Sequence, residues 1–276
     1  MTQPPRLADP SALARNRARA ARAPALVLQE AVADEVQERL HEVNRSFTAP
    51  AVVTPWPDLW AGRLAGARCV QDTEVLDLQP GAHDLVLHML ALHWAADPVG
   101  QLVQARHALR PDGLMIATLF GGQTLAELRA CLAEAEARVT GGLSPRVAPM
   151  AEVRDAGALL QRAGFALPVA DSTRYRLSYP DALALMHDLR AMGEGNALDG
   201  RLRHPTRRAV LLAAAELYAD RFAEADGRII ATFDVITLTG WAPAPDQPQP
   251  LRPGSAAQRL ADALGAVEHP LPRNGE

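Results

Sequence analysis

The chain has 276 residues, 48% of them hydrophobic and 22% charged, with a formal net charge of −4 and a mean hydropathy near −0.07. These proportions point to a globular protein with a sizeable core, one domain with an appendage, and the sequence holds no run of ~18 apolar residues that would form a transmembrane helix. The 2 cysteines, Cys69 and Cys131, exclude a disulfide framework and a Cys-based zinc site, and fit a reducing compartment.

All 28 basic residues are arginine. A Walker phosphate loop and a Schiff-base lysine are therefore excluded, since each needs a lysine. The negative net charge gives wholesale nucleic-acid binding no electrostatic footprint.

Residues 1–47 read as a helical segment. Its start is basic, with Arg6, Arg15, Arg17, Arg19 and Arg22 against Asp9 alone. That pattern fits an exposed helix face, a surface for an acidic partner or membrane, or an Arg-rich transit peptide; it lacks the apolar core of a signal peptide. Leu28, Val32, Val36 and Leu40 then recur at i, i+4 spacing on a second helix.

From Thr48 the texture alternates between strands and helices. Ala51–Thr54 and Arg68–Gln71 are short candidate strands, with one or two helical turns between them over Leu59–Ala65 that take in Gly62 and run on to Gly66. Asp84–Leu90 is a continuous apolar run, as in a parallel strand buried on both faces. Asp97-Pro98 supplies an N-cap and a first-turn proline for a helix that Pro111-Asp112-Gly113 ends. Leu114–Phe120 is a second two-sided strand. Thr124-Leu-Ala-Glu127 has the form of a capping box, and a helix over Ala151–Ala163 is closed by Gly164.

Tyr175, Leu177 and Tyr179 alternate with polar residues on a half-exposed strand. Residues 181–222 read as helical, within an insertion spanning 181–226. Ile229–Leu238 is apolar on both faces and belongs inside the sheet. The result is a doubly wound α/β domain over residues 48–241 whose parallel sheet ends in a hairpin-like pair. Residues 242–276 form a proline-rich tail, extended and mobile, with one short helix over Ser255–Ala266.

The stretch from His83, HDLVLHMLALHWAADPVGQLVQARHALRPDGLMIATLFGGQTLAELR, resembles the middle of class I S-adenosylmethionine-dependent methyltransferases of the BioC-like group. More closely it resembles the family of mitochondrial complex I assembly factor 5 and its alphaproteobacterial relatives. Three further blocks are similar to that family: GGLSPRVAP (141–149), LMHDLRAMGEGNAL (185–198) and DGRIIATFDVITLTGWAP (226–243). The resemblance implies a Rossmann-like, seven-stranded methyltransferase sheet, with S-adenosylmethionine over the C-terminal strand ends and a helical insertion before the last strand. It also implies a respiratory complex I subunit or assembly intermediate as partner. A bacterial cytoplasm is the expected location, with the mitochondrial matrix as the alternative.

The cofactor glycines of this family are missing. Backbone must approach the methionine part of the cofactor closely, which residues without side chains permit. After Ala51–Thr54 the turn reads Pro55-Trp56-Pro57 in place of D-x-G-x-G, and about 20 residues are absent between Phe47 and Asp72 by comparison with the family, a loss of loop that costs little in closure entropy. The deletion is expected to remove a strand and a helix, truncating the sheet at its first strands.

By the resemblance, Asp72 matches the acid that faces the adenine amino group, with Thr73 and Glu74 beside it, and His93-Trp94 matches the loop flanking the cofactor. Asp58 and Trp60 are candidates to replace lost contacts. His93 reads either as a pocket wall and proton carrier or as a loop residue packed on Trp94. His88, inside an apolar strand, reads as a satisfied buried histidine.

Asp188, Arg190 and Glu194 are substrate-side candidates: carboxylates there could hold a guanidinium bidentately. The alternative is an internal Arg190–Glu194 pair. No metal site is expected, because the His set contains no H-x-D or H-x-E pair for a facial triad, and no catalytic residue is assigned.

Two functions stay open. One is an active S-adenosylmethionine-dependent methyltransferase acting on a small molecule or a protein side chain. The other is a non-catalytic relative that survives as a binding or assembly protein.

Overall fold

The computed structural model describes residues 6–248. The helix predicted over 255–266 lies outside them. The chain forms two units, Met1–Pro243 and Ala244–Glu276. In the second, residues 244–248 make a turn in which the Gln247 amide donates to the Ala244 carbonyl at 3.3 Å.

The first unit is built on one six-stranded sheet. Its strands are β1 (Pro50–Val53), β2 (Arg68–Val70), β3 (His83–His88), β4 (Leu109–Gly121), β5 (Ala166–Tyr179) and β6 (Ile229–Trp241). Their spatial order is β2-β1-β3-β4-β6-β5. β1 to β4 run parallel, and β6 lies antiparallel between β4 and β5. This is the Rossmann-like, class I methyltransferase-type sheet expected from the sequence, closed by the hairpin-like pair. It has six strands rather than seven. The shortfall lies on the β1–β2 side, where the strands are 4 and 3 residues long and the connection holds a single 5-residue helix, α3 (Pro57–Ala61).

The remaining helices in chain order are α1 (Pro10–Ala20), α2 (Val27–Glu42), α4 (Pro98–Ala108), α5 (Ala126–Thr140), α6 (Val153–Ala163), α7 (Ala182–Ala191) and α8 (Arg208–Phe222). Helices α2, α5, α7 and α8 cover one face of the sheet, α4 and α6 the other. On β3, Leu85 and Leu87 point to the first layer and Val86 to the second, all at 0% exposure. That accounts for an apolar run without alternation: each side chain contributes about 1.5–3 kcal/mol by burial, whichever face it takes.

Several local expectations fail for identifiable reasons. β3 stops at His88 rather than Leu90, because Leu90 takes a positive φ of 43° and its amide leaves the sheet for the Thr118 hydroxyl at 3.0 Å. Pro111-Asp112-Gly113 does not lie outside the strands. It is an irregularity within β4, where the register moves from His83↔Leu109 to Leu85↔Leu114. Gly62 caps α3 and Gly66 sits in a turn with φ 74°, so neither is inside a helix.

The capping box at Thr124–Glu127 does not form. The Thr124 hydroxyl turns to the carbonyls of Gly121 and Asp234 at 2.8 and 3.0 Å, and Glu127 accepts from Thr232 instead. α5 therefore starts one residue after Leu125, with no side-chain cap. Tertiary partners have outcompeted the local motif.

Residues 181–222 are not one helical stretch. α7 ends in a Schellman motif, with the Gly193 amide on the Arg190 carbonyl at 3.2 Å and the Glu194 amide on the Leu189 carbonyl at 2.8 Å. Gly193 takes φ 80°, which a glycine adopts without the Cβ penalty. The loop 192–207 follows, and α8 starts at Arg208.

Candidate functional site

Two hollows open at the C-terminal ends of the parallel strands. The outer cleft, about 670 Å³, has the turns after β1 and β2 as its floor and α1 as its roof. The inner cavity, about 180 Å³, lies between β4, β6, α5 and the α7 end. Trp94 lines both and forms the partition.

α1 is fixed as a roof by its own caps and by the 193–203 loop. Asp9 caps the helix by accepting from the Ala12 amide at 3.1 Å and also takes Arg201 and Arg203 at 2.8 and 2.7 Å. These cations hold its carboxyl well below the usual carboxylate range. The Asp9 amide donates to the Ala197 carbonyl at 2.8 Å, and Asn16 donates to the Gly195 carbonyl at 3.0 Å.

From this roof Arg17 reaches down to Asp72. Its Nη1 lies 2.6 and 2.7 Å from the two carboxylate oxygens. The side chains are only 15% and 6% exposed, so the Arg17 face of α1 is not solvated. Leu13, Arg17 and Ala20, spaced i, i+4, i+7, share the inward face.

Thr73 and Glu74 sit beside Asp72 but are exposed. The Thr73 hydroxyl donates to the Val75 carbonyl at 2.7 Å, while Glu74 lies 4.0 Å from Arg6. Asp58 lines the cleft. Trp60 does not: at 1% exposure it is part of the core beside Leu28 and Val32.

A nucleoside cofactor carrying a methionine group needs free backbone amides for its carboxylate and an acid for its adenosine part. In the turn after β1, Pro55 and Pro57 have no N–H. The Thr54 amide donates to the Val70 carbonyl at 3.0 Å, and the Trp56 amide to the Thr54 hydroxyl at 3.1 Å. Both oxygens of Asp72 are engaged by Arg17. As folded, the residues of the outer cleft do not fit S-adenosylmethionine.

His88 ends β3 behind this cleft, fully buried. Its Nε2 is 2.7 Å from Gln101 Oε1, and Gln101 in turn donates to the Thr73 carbonyl at 3.0 Å. Burial pushes the imidazole below its ordinary value, so it is neutral. It is only half satisfied, because Nδ1 has no partner.

His93 and Trp94 lie in a single 3₁₀ turn, Leu92–Trp94. Glu194 meets both: the Trp94 indole N–H donates to its Oε2 at 2.7 Å, and His93 Nε2 lies 3.1 Å from the same oxygen. The Schellman turn at Gly193 aims Glu194 at this pair. The Arg190–Glu194 pair is therefore absent, and Arg190 is exposed at the edge of the inner cavity.

Asp188 is not on that cavity. It accepts the Tyr179 hydroxyl at 2.7 Å, and burial together with this carboxylate pushes the Tyr179 phenol upward. The structure thus joins Glu194 with His93 and Trp94, leaves Arg190 at the cavity edge, and diverts Asp188 to the sheet.

Sequence reasoning missed Arg146. It lines the inner cavity and is held by Glu136, whose oxygens receive its Nε and Nη2 at 3.0 and 2.6 Å. Among the described residues, no group of three or more His, Cys, Asp or Glu is placed to hold a metal ion, and no helix is long and apolar enough to cross a membrane.

No protein-family model matches the chain. Individual relatives do. The mitochondrial arginine-hydroxylase NDUFAF5 of Danio rerio is 39% identical over 197 residues, 71% of this chain and 61% of that protein. The malonyl-[acyl-carrier protein] O-methyltransferase of Xylella fastidiosa is 35% identical over 172 residues, 62% of this chain and 56% of that one. Among solved structures, a Burkholderia thailandensis 1,6-didemethyltoxoflavin-N1-methyltransferase is 14% identical, covering 88% of this chain and 94% of that one with a TM-score of 0.44. The chain thus spans 61% and 56% of the length of the two relatives matched by sequence. Over part of their length, this chain is similar in sequence to the arginine-hydroxylase NDUFAF5 and to the malonyl-[acyl-carrier protein] O-methyltransferases.

Proposed function

We propose that the chain acts as a binding or assembly protein of the NDUFAF5-like group whose S-adenosylmethionine place is closed. The Arg17–Asp72 pair is the observation that carries this reading: the acid assigned to the adenosine part holds a guanidinium from its own chain. The proline-flanked turn at Trp56 supports it, since none of its amides is free. On this reading the partner is a respiratory complex I subunit or assembly intermediate in a bacterial cytoplasm, in line with the family resemblance.

Calorimetric titration of the full chain with S-adenosylmethionine and S-adenosylhomocysteine tests the closure. The expected result is no heat and no thermal shift at millimolar ligand. Micromolar binding would overturn it and favour an active methyltransferase, with the inner cavity as the acceptor side. Affinity capture with the tagged chain tests the partner, and recovery of no complex I subunit would remove that part of the proposal.

A further inference from the structure

The inner cavity has apolar walls and, in its lining, a guanidinium that no carboxylate of the described residues pairs. Phe120, Leu125, Leu128, Leu189 and Phe233 are buried and line it. Its volume of about 180 Å³ is of the order that holds a benzene-sized guest in engineered apolar cavities.

Most polar groups on its lining are committed; besides Arg190, the exceptions are His93 Nδ1, buried without a partner, and Glu194 Oε1, which no hydrogen bond engages. Arg146 is held by Glu136 and by Thr206 at 2.8 Å. Asn196 donates to the Pro145 carbonyl at 2.9 Å and accepts the Leu198 amide at 3.0 Å. Glu194 takes His93 and Trp94, and Thr124 faces backbone carbonyls. Arg190 differs: it is exposed, and its guanidinium has no ion pair or hydrogen bond in the described structure. Among the lining residues it is the exposed one.

We propose that this cavity binds a compact apolar carboxylate, an aromatic or branched acid whose body fills the space between β4, α5 and α7 and whose carboxylate pairs with Arg190. The planar guanidinium offers two parallel N–H donors to a carboxylate, which gives orientation as well as attraction. A cationic ligand would instead meet Arg190, and Glu194 would offer it Oε1 alone, since Oε2 is already doubly engaged by His93 and Trp94. The site is separate from the outer cleft, so its test is independent of the S-adenosylmethionine titration.

The test is titration calorimetry with three molecules of one shape: 3-phenylpropanoate, 3-phenylpropan-1-ol and 3-phenylpropylamine. The acid is expected to bind at least about tenfold more tightly than the alcohol and the amine. Arg190→Gln, an exposed change that leaves the core intact, should bring the acid down to the level of the alcohol without altering the alcohol itself. Leu128→Met and Leu128→Phe, which fill the cavity to different degrees, should weaken all three ligands in order of size. Equal binding of acid and alcohol, preference for the amine, an acid preference that survives in Arg190→Gln, or no binding of any of the three would each overturn the proposal.

Discussion

Arg17 Nη1 lies 2.6 and 2.7 Å from the two oxygens of Asp72, so one nitrogen of a roof helix neutralises the acid on the floor of the outer cleft. Removing one member of a largely buried pair leaves the other charge uncompensated, at a cost of about 3 kcal/mol. Arg17→Ala should therefore lower stability in urea by about that amount, and Asp72→Asn in the same chain should restore part of it, because the two sites are coupled. Arg17→Ala should also open Asp72 to adenosine or S-adenosylhomocysteine, with a gain of about tenfold or more in affinity, the scale of one hydrogen bond to a charge. A variant that is destabilised yet binds no better would show that the lost glycine turn, and not the ion pair, closes the cleft.

Acid should destabilise the protein through two groups in turn. Burial holds the His88 imidazole below its ordinary value, whereas in the unfolded chain it gains a proton near about pH 6.5. Its contribution is complete above that pH and is lost as pH falls through it. Glu136 is held below its ordinary value first by Arg146, then by Ser144, despite burial that raises it. Its contribution is complete above the unfolded value of about 4.3 and is lost as pH falls towards the folded one. Urea midpoints should thus begin to decline as pH falls below about 7, and decline more steeply below about 4.5. His88→Asn should flatten the first decline and spare the second, and Glu136→Gln should do the reverse. An unchanged first decline in His88→Asn would assign it to another group.

Gly193 and Gly66 separate the cost of a backbone conformation from the cost of a crowded Cβ. Both have positive φ, 80° and 74°. A Cβ at Gly66 meets nothing within 4 Å, whereas at Gly193 it would lie 3.2 Å from Arg17 Cγ and 3.4 Å from Trp56 Cζ2. Gly66→Ala should cost about 1 kcal/mol from φ alone. Gly193→Ala should cost more, and the excess should shrink in an Arg17→Ala background, since the two side chains share one contact. Thermal melts of the four chains decide it: a constant excess would mean that Trp56 alone sets the crowding.

The sheet was legible because its signals are long and redundant. Asp84–Leu90 and Leu114–Phe120 each exceed what a half-exposed strand tolerates, and Tyr175, Leu177 and Tyr179 alternate as an edge strand should. What was not legible are the choices a polar side chain makes among several partners. Thr124 and Glu127 have the spacing of a capping box, yet Asp234 and Thr232, more than 100 residues later, hold them instead. Arg190 and Glu194 have the spacing of a helical ion pair, yet a glycine at 193 ends the helix between them and sends Glu194 elsewhere. Arg17 looked like one cation among several on a basic helix. Its burial depends on the helix docking over Asp72, which no local pattern encodes.

Glu194 holds the insertion against the strand ends through one oxygen that serves two donors. Glu194→Gln retains an oxygen that can accept from both Trp94 and His93, and loses only the charge; it should cost about 1 kcal/mol. Glu194→Ala leaves the Trp94 indole N–H and the His93 ring nitrogen buried without a partner, and should cost about 2–4 kcal/mol. The same change should loosen what the loop supports, since α1 is tied to Gly195 and Ala197 by Asn16 and the Asp9 amide. Amide exchange should therefore quicken at residues 195–198 and at the start of α1 in Glu194→Ala but stay near the parent rate in Glu194→Gln. If the two variants match within about 0.5 kcal/mol, well inside the gap expected from two orphaned donors, the carboxylate does not anchor the insertion and the roof over the outer cleft rests on α1 alone.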